Sequence, residues 1–178
     1  MTTPRRTRDK GRDRISNRAT SYSTVFLRFA LALSFLSAVA DRFGLWGAYG
    51  QPHVAWGDFG RFVAYTSKLN WFVPTILLPT LAWASTLAEI LLGLALIVGL
   101  FTRIAALLSG IILLLFALAM TVALGVKVPL DFSVFSASAG AFLLAAYGEY
   151  PLSADALRNR RGWDGRGALP RDPGPQVR

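Results

Sequence analysis

Long apolar stretches alternate with short polar breaks through the middle of this chain. Four such stretches cover residues 25–40, 73–101, 104–126 and 132–147. An α-helix rises about 1.5 Å per residue and needs roughly 20 mainly apolar residues to cross the hydrocarbon of a bilayer. The second and third stretches reach that length directly, and the other two reach it once their polar and aromatic ends are counted. The pattern predicts an all-α integral membrane protein, a four-helix bundle.

The same pattern divides the chain into three predicted regions. A basic, disordered cytoplasmic tail covers residues 1–20, a transmembrane domain covers residues 21–150, and a second basic cytoplasmic tail covers residues 151–178. The four predicted spans lie at about 22–41, 74–101, 103–126 and 131–148. Only Thr102 and Arg103 separate the second and third apolar stretches, so we expect a tight antiparallel hairpin there.

Proline and small residues mark the fourth predicted span. Pro129 is expected to begin it and Asp131 to cap it. Small side chains recur at every fourth position, which lets helix backbones approach closely in lipid. These small residues are Ser133, Ala137, Ala141 and Ala145, with Ser136 and Gly140 beside them. After the span, Ser153 is expected to cap a short helical turn at the inner surface.

The one long connection between predicted spans, residues 41–73, contains a short amphipathic segment. Phe59, Phe62 and Val63 fall on one helical face. This spacing predicts a short amphipathic helix at about 58–69 that lies in the membrane–water interface on the outer, non-cytoplasmic side. The tryptophans of this connection are expected at the same interface, where amphipathic rings are enriched. They are Trp46, Trp56 and Trp71.

Charged residues make up 16% of the chain and are concentrated towards its two ends, while the formal net charge is +9. Basic segments beside a membrane attract anionic lipid headgroups at about 1 kcal/mol per residue. We therefore expect the lipid bilayer as a partner, with anionic lipids at both tails. No folded basic domain or aromatic platform accompanies the charge, so the sequence does not predict nucleic-acid binding.

The distribution of positive residues predicts the orientation of the spans. Lys and Arg in short flanks mark the cytoplasmic side. If both tails and Arg103 lie inside, that side holds 14 of the 19 Lys and Arg residues. The opposite side then holds Arg42, Arg61, Lys68 and Lys127. An even number of crossings also requires both tails on one side, so both termini are predicted to be cytoplasmic.

The N-terminal region also fits a second interpretation. A basic leader, an apolar run and the residues Ala38, Val39 and Ala40 before Asp41 are typical of a secretory signal with a cleavage site. Against cleavage, the leader is long, and Arg28 interrupts what should be an uncharged core. A mature N-terminus at Asp41 would remove the first predicted span.

Two residue types that carry redox and metal chemistry are nearly missing. The sequence has no cysteine and one histidine, His53. Disulfides, thiol redox chemistry, cysteine-ligated iron–sulfur clusters and covalently attached haem are therefore excluded within this chain. Paired histidine ligation of a haem is excluded for the same reason, and no metal site or intrinsic cofactor is predicted.

Glu89 is the main candidate functional residue because it lies well inside the second predicted span. An ionised side chain near the centre of a bilayer costs about 2.5–3.5 kcal/mol on insertion scales. The carboxyl group is therefore expected to be neutral or paired, and such a residue marks function by default. The alternative is a protonated Glu89 that bonds to Ser or Thr and serves only helix packing.

Three further polar positions bear on Glu89. Arg28, in the first span, is a candidate partner, but side chains lean towards the N-terminus of their own helix, which tilts the two apart. Arg28 could instead extend to the inner interface. Ser34 lies at a depth closer to that of Glu89. Asp41 and Arg42, at the end of the first span, are interpreted as a solvated cap.

These features resemble the DoxX family of small four-helix bacterial membrane proteins. The strongest similarity is the run from Glu89 to Arg103, with its Gly-Leu-Phe-Thr-Arg ending. Further points are Arg28, Phe35 and Asp41-Arg42 in the first span, the segment from Phe62 to Pro74, and Gly148 with the later Leu-Ser-Ala-Asp run that ends at Asp155. The resemblance covers about residues 22–157.

The resemblance implies a function that the residues alone do not. DoxX proteins are described as components of membrane-associated oxidoreductase complexes, and a relative forms part of a thiosulfate:quinone oxidoreductase. By resemblance, we expect an accessory or quinone-contacting subunit in the bacterial inner (plasma) membrane, with a protein partner and a quinone pocket near Arg28 and Glu89. No catalytic constellation is visible, so a standalone enzyme is not predicted. The alternative is a non-enzymatic transporter-like or scaffold membrane protein.

Overall fold

A computed structural model describes residues 6–148 and 150–157 of the chain. Within these ranges the regular structure is entirely helical, which confirms the predicted all-α class. The helices described there are α1 (Arg6–Arg42), α2 (Phe59–Leu69), α3 (Leu78–Val98), α4 (Thr102–Leu124), α5 (Lys127–Asp131) and α6 (Val134–Tyr147). A 3₁₀ turn, Thr75–Leu77, leads into α3.

Three helical segments are long and apolar enough to cross a bilayer. They are Thr20–Arg42, Thr75–Val98 and Thr102–Leu124. The chain is therefore a multi-pass membrane protein surrounded by lipid. The apolar helix α6 has 14 residues, or about 21 Å, against a hydrocarbon thickness of about 30 Å. The helix in the fourth predicted span, 131–148, is thus shorter than expected.

An interruption of the helix between α5 and α6 explains the short fourth span. Pro129 lies inside α5, and α6 begins only after Ser133, whose φ is +55°. Asp131 does not cap α6, contrary to the sequence prediction. Its carboxylate instead bonds to the ammonium group of Lys127, one turn earlier in α5.

The helix α1 begins further from the bundle than the sequence predicts. It starts at Arg6, so residues 6–20 are helical where a disordered tail was expected. Extending an existing helix costs far less than starting a new one, and Arg and Lys are good helix formers. The same helix runs without a break through residues 38–40, where the second interpretation places a cleavage site.

The helices α1, α3, α4 and α6 pack as a closed ring. Each contacts two neighbours: α1 and α4 both pack against α3 and α6. Glycines permit close approach, since a Cβ on Gly93 would lie 3.3 Å from the Ala32 carbonyl oxygen and one on Gly110 would lie 2.8 Å from the Phe142 ring. Across α4 and α6, Ser138 Oγ donates to the Gly110 carbonyl at 2.8 Å.

The helix α2 matches the amphipathic helix predicted at 58–69. Asp58 caps it, because its Oδ1 accepts from the Arg61 N–H at 2.9 Å. Its buried side chains are Phe62, Thr66 and Leu69. These pack against α3, α4 and the end of α1, so α2 closes one end of the ring. We call this the loop end, and the opposite end, where residues 150–157 lie, the tail end.

Candidate functional site

Glu89 lies near the middle of α3 and is buried against a basic residue. The exposed fractions of the Arg42 and Glu89 side chains are 3% and 1%. Arg42 Nη2 donates to Glu89 Oε1 at 2.7 Å and to Oε2 at 2.8 Å. Arg42 Nη1 donates to Thr86 Oγ1 at 2.8 Å. The arginine thus holds its partner carboxylate and a neighbouring hydroxyl on one face of α3.

The structure pairs Glu89 with Arg42, so Arg28, the candidate partner considered from the sequence, is not its partner. The close contact of Gly93 with Ala32 fixes the register of α1 against α3, which runs antiparallel to it. Side chains lean towards the N-terminus of their own helix. Arg42 therefore leans back along α1 while Glu89 leans towards the loop end, and the two meet. The same leaning carries Arg28 away from Glu89.

Aromatic rings cover the arginine of this pair. Arg42 Cζ lies 3.8 Å from the centroid of the Phe62 ring and 5.5 Å from that of Trp56, within the range of cation–π attraction. These two rings meet edge to face with their centroids 5.2 Å apart. Further contacts join them to Phe43, Phe59, Tyr65 and Trp83. We call these six side chains the aromatic cap.

Asp41 connects α1 to the backbone of the aromatic cap through hydrogen bonds. It is 6% exposed, and its Oδ2 accepts from the N–H groups of Ala55 at 3.0 Å and Trp56 at 3.1 Å. The expectation that Asp41 and Arg42 form a solvated cap is therefore wrong. The connection folds back over them, helped by Gly57 at φ +69°, where a Cβ would lie 2.4 Å from the Tyr49 nitrogen.

Arg28 lies at the tail end, also buried, at 2% exposure. Its Nη2 donates to the Leu152 carbonyl at 2.7 Å, and Nη1 reaches the Pro151 carbonyl at 3.4 Å. The guanidinium thus follows the alternative that the sequence left open, extending away from Glu89 towards the end of its helix. Its acceptors belong to the segment after α6.

Asp155 in the same segment caps α4. Its Oδ2 accepts from the Thr102 N–H at 2.8 Å and from the Thr102 hydroxyl at 2.9 Å. The predicted cap at Ser153 is confirmed, because its Oγ accepts from the Ala156 N–H at 3.1 Å. Burial raises the pKa of Tyr150, and its hydroxyl donates to the Leu144 carbonyl at 3.1 Å.

Ser34 is not brought to the site. Its side chain is exposed on α1 and donates back to the Ala30 carbonyl at 2.8 Å. Depth along the membrane was a poor guide, because Ser34 points away from the bundle. Within residues 6–148 and 150–157, no group of three His, Cys, Asp or Glu side chains lies close enough to hold a metal ion.

A signal in the sequence could have found Arg42. The buried residues of α1 recur at spacings of three and four, and the series Arg28, Leu31, Phe35, Val39 and Arg42 follows that rule. Residues at such spacings share one helix face. Both arginines therefore lie on the face that packs into the bundle, although charge alone suggested solvent for Arg42.

Comparison with known families adds one finding. A family model described as DoxX matches residues 23–124, more than half of the 178 residues. The chain belongs to the DoxX family. No curated protein and no solved structure gives a significant match. The part matched to DoxX contains both Arg42 and Glu89, whereas the segment that bonds to Arg28 lies beyond it.

Proposed function

We propose that this DoxX-family protein is an inner-membrane subunit of an oxidoreductase complex and contacts quinone beside Arg42 and Glu89. The buried ion pair under the aromatic cap supports this most directly. A quinone ring is flat and apolar and packs well on aromatic side chains, while its carbonyl oxygens accept hydrogen bonds. The Arg42 guanidinium is a donor placed against such rings.

The composition limits how the subunit takes part in redox chemistry. With no cysteine and one histidine in the chain, electrons have no thiol or paired-histidine metal site to occupy. A redox role therefore uses a bound quinone or the cofactor of a protein partner. The protein supplies binding, orientation and electrostatics.

The proposed orientation places both termini in the cytoplasm. The support is the excess of Lys and Arg in the two tails and at Arg103. Arg42 lies buried inside the bundle, so three of the four basic residues assigned to the opposite side remain outside it, which strengthens this asymmetry. In this orientation the tails contact anionic lipid headgroups.

Quinone binding tests the proposal. The full chain is reconstituted in lipid nanodiscs and titrated calorimetrically with a short-chain benzoquinone. Arg42→Lys keeps a positive charge beside Glu89 but removes the planar fork of donors, so we expect binding to weaken by about ten-fold or more.

Arg61→Lys is the matched control. Arg61 also lies over an aromatic ring, 3.7 Å from the Tyr49 centroid, and pairs with Asp58 at 3.0 Å, but both partners of that pair are more than half exposed. We expect this control to bind quinone as the wild type does. Absence of saturable binding by the wild type, or equal weakening by both variants, would contradict the proposal.

A scaffold protein is the second candidate. Arg42 Nη2 donates to both oxygens of the Glu89 carboxylate, so the pair can serve helix packing without any ligand. Glu89→Gln separates the two functions in the complex purified in mild detergent. Loss of quinone-coupled activity with unchanged co-purification of partners supports the redox subunit. Loss of assembly alone supports the scaffold.

A further inference from the structure

The guanidinium of Arg42 has two acceptor groups on α3, and only one of them is charged. Its Nη2 donates to both oxygens of the Glu89 carboxylate, at 2.7 and 2.8 Å. An arginine that meets a carboxylate frequently places one nitrogen on each oxygen, as a fork. Here the other terminal nitrogen, Nη1, donates to Thr86 Oγ1 at 2.8 Å instead. The carboxylate therefore holds one terminal nitrogen of the guanidinium, and Thr86 holds the other.

The Thr86 hydroxyl is oriented so that it accepts from Arg42. Thr86 is fully buried, and its hydroxyl donates to the Ala82 carbonyl, one turn earlier in α3, at 2.8 Å. A hydroxyl has one hydrogen to donate and two lone pairs that accept. Because that hydrogen is bonded to Ala82, the oxygen faces Arg42 as an acceptor only. The backbone of α3 thus fixes the direction of the hydrogen bond from Nη1.

The contact of Arg42 with the aromatic cap is neutral as well. The centroid of the Phe62 ring lies 3.8 Å from Arg42 Cζ, and this attraction depends on the charge of the arginine and not on that of Glu89. A ring face, however, allows a planar group to turn above it, whereas a hydrogen bond has a preferred direction. Of the two neutral contacts, the one with Thr86 therefore orients the guanidinium.

From these contacts we infer that Thr86 is a positioning residue, which keeps the Arg42 guanidinium oriented under the aromatic cap when the charge of Glu89 is removed. For its role in binding, the inference rests on the proposed quinone contact, and it adds the group that sets the direction of the donor. A donor that is already oriented loses less conformational entropy when a ligand accepts from it. The carboxylate can then be neutralised without release of the guanidinium.

The first measurement needs no ligand and follows rotation of the guanidinium by nuclear magnetic resonance. The full chain is labelled with ¹⁵N-arginine in lipid nanodiscs, and the Arg42 signals are assigned by their loss in Arg42→Lys. Exchange between the Nη1 and Nη2 signals gives the rate of rotation about the Nε–Cζ bond. We expect slow rotation in Glu89→Gln, which removes the charge, and about ten-fold faster rotation when Thr86→Val is added. Equal rates in these two variants would overturn the inference.

Two matched variants separate the hydroxyl of Thr86 from the packing of its side chain. Thr86→Ser keeps the hydroxyl, so its combination with Glu89→Gln should restore slow rotation. Thr66→Val makes the same replacement at another buried threonine, whose hydroxyl bonds to the Phe62 carbonyl of its own helix at 2.9 Å. Combined with Glu89→Gln, it should leave rotation slow. Acceleration by Thr66→Val equal to that by Thr86→Val, or no recovery with Thr86→Ser, would contradict the role of Thr86.

Titration with the short-chain benzoquinone measures the consequence for binding. We expect Glu89→Gln and Thr86→Val each to weaken binding by about three-fold, because each leaves Arg42 its other acceptor. The double variant should lose at least about ten-fold more than the product of the two. If it does not fold, Thr86→Val alone is compared with Thr86→Ser, which should restore the affinity.

The two measurements fail in different ways. A double variant whose loss equals the product of the single losses, or equal affinities of Thr86→Val and the wild type, would overturn the inference while quinone binding stands. Absence of quinone binding by the wild type, together with fast Arg42 rotation in the double variant only, would contradict the proposed function and support the positioning of Arg42 by Thr86.

Discussion

Arg42 and Arg28 lie on the same buried face of α1, but they have different partners. They are separated by fourteen residues, about 21 Å along the helix. Arg42 meets a carboxylate on a neighbouring membrane-length helix. Arg28 meets main-chain carbonyl groups of the segment after α6. The first contact neutralises a charge inside the bundle, and the second holds a chain segment against its end.

This difference gives the two arginines different roles. The Arg42 site can respond to a ligand, whereas Arg28 holds the segment after α6 against the bundle. A carboxylate can rotate, take up a proton or exchange one donor for another, whereas a main-chain carbonyl is fixed by the backbone. A ligand that displaces part of the aromatic cap can therefore compete with Arg42 for a side-chain carboxylate. Displacing the acceptors of Arg28 requires residues 151 and 152 to leave the bundle.

The largest expected effect comes from breaking the loop-end pair. Removing one partner of a buried ion pair leaves a charge without compensation and costs about 3–5 kcal/mol. We expect Arg42→Ala and Glu89→Ala each to lower the free energy of unfolding by about that amount. The double variant should cost less than their sum by at least about 1 kcal/mol. Unfolding in mixed micelles, followed by circular dichroism, measures these values.

A second double-mutant cycle, which replaces Arg42 by Arg28, compares the loop end with the tail end. Arg28→Ala combined with Glu89→Ala should be additive within about 0.5 kcal/mol, because the two side chains share no partner. Coupling between Arg28 and Glu89 as large as that between Arg42 and Glu89 would contradict the arrangement described here.

Truncation tests whether the tail-end segment holds Arg28. A chain that stops after residue 150 loses the carbonyl acceptors of Arg28 and the cap of α4, so we expect it to be about 2–4 kcal/mol less stable. A chain that stops after residue 157 keeps these contacts and should stay within about 0.5 kcal/mol of the full chain.

Both truncations remove the basic residues beyond 157, so their difference reports residues 151–157 alone. The same micelle unfolding assay compares them. Equal stability of the two shortened chains would show that Arg28 does not depend on this segment.

A smaller effect is expected from the cap of α4 alone. Asp155→Ala removes the acceptor of the Thr102 N–H and hydroxyl and should cost about 1–2 kcal/mol. Asp131→Ala is the control, because its pair with Lys127 is exposed and contributes about 0.3–0.5 kcal/mol. If the two variants lose the same stability, Asp155 does not cap α4 in the membrane-embedded protein.

Hydrophobic patterning predicted most of the fold. The three membrane-length helices, a tight turn between α3 and α4 and the amphipathic helix α2 all follow from local spacing, which is visible in one sequence. The turn lies at residues 99–101, however, and Thr102 and Arg103, the predicted connection, begin α4. The start of α1 at Arg6 was missed because composition suggested disorder. The break before α6 was missed because the left-handed backbone of Ser133, which ends the preceding turn, is not visible in the residue types.

The candidate site was predicted only in part, because its partners come from different helices. Glu89 was identified from its position in an apolar helix, which needs no knowledge of neighbours. Its pairing with Arg42 depends on the register of α1 against α3, which the contact of Gly93 with Ala32 determines. Asp41 was misassigned because the fold of the connection over it is set by tertiary contacts.

The smallest expected effect is at Ser34, which lies between the two arginines in sequence but faces away from the bundle. Its hydroxyl bonds only to the carbonyl of its own preceding turn, so Ser34→Ala removes no contact between helices. We expect a change in unfolding free energy within about 0.5 kcal/mol and unchanged quinone affinity. A loss of affinity comparable to that of Arg42→Lys would mean that the binding surface extends along the exposed side of α1, which would place the quinone outside the aromatic cap.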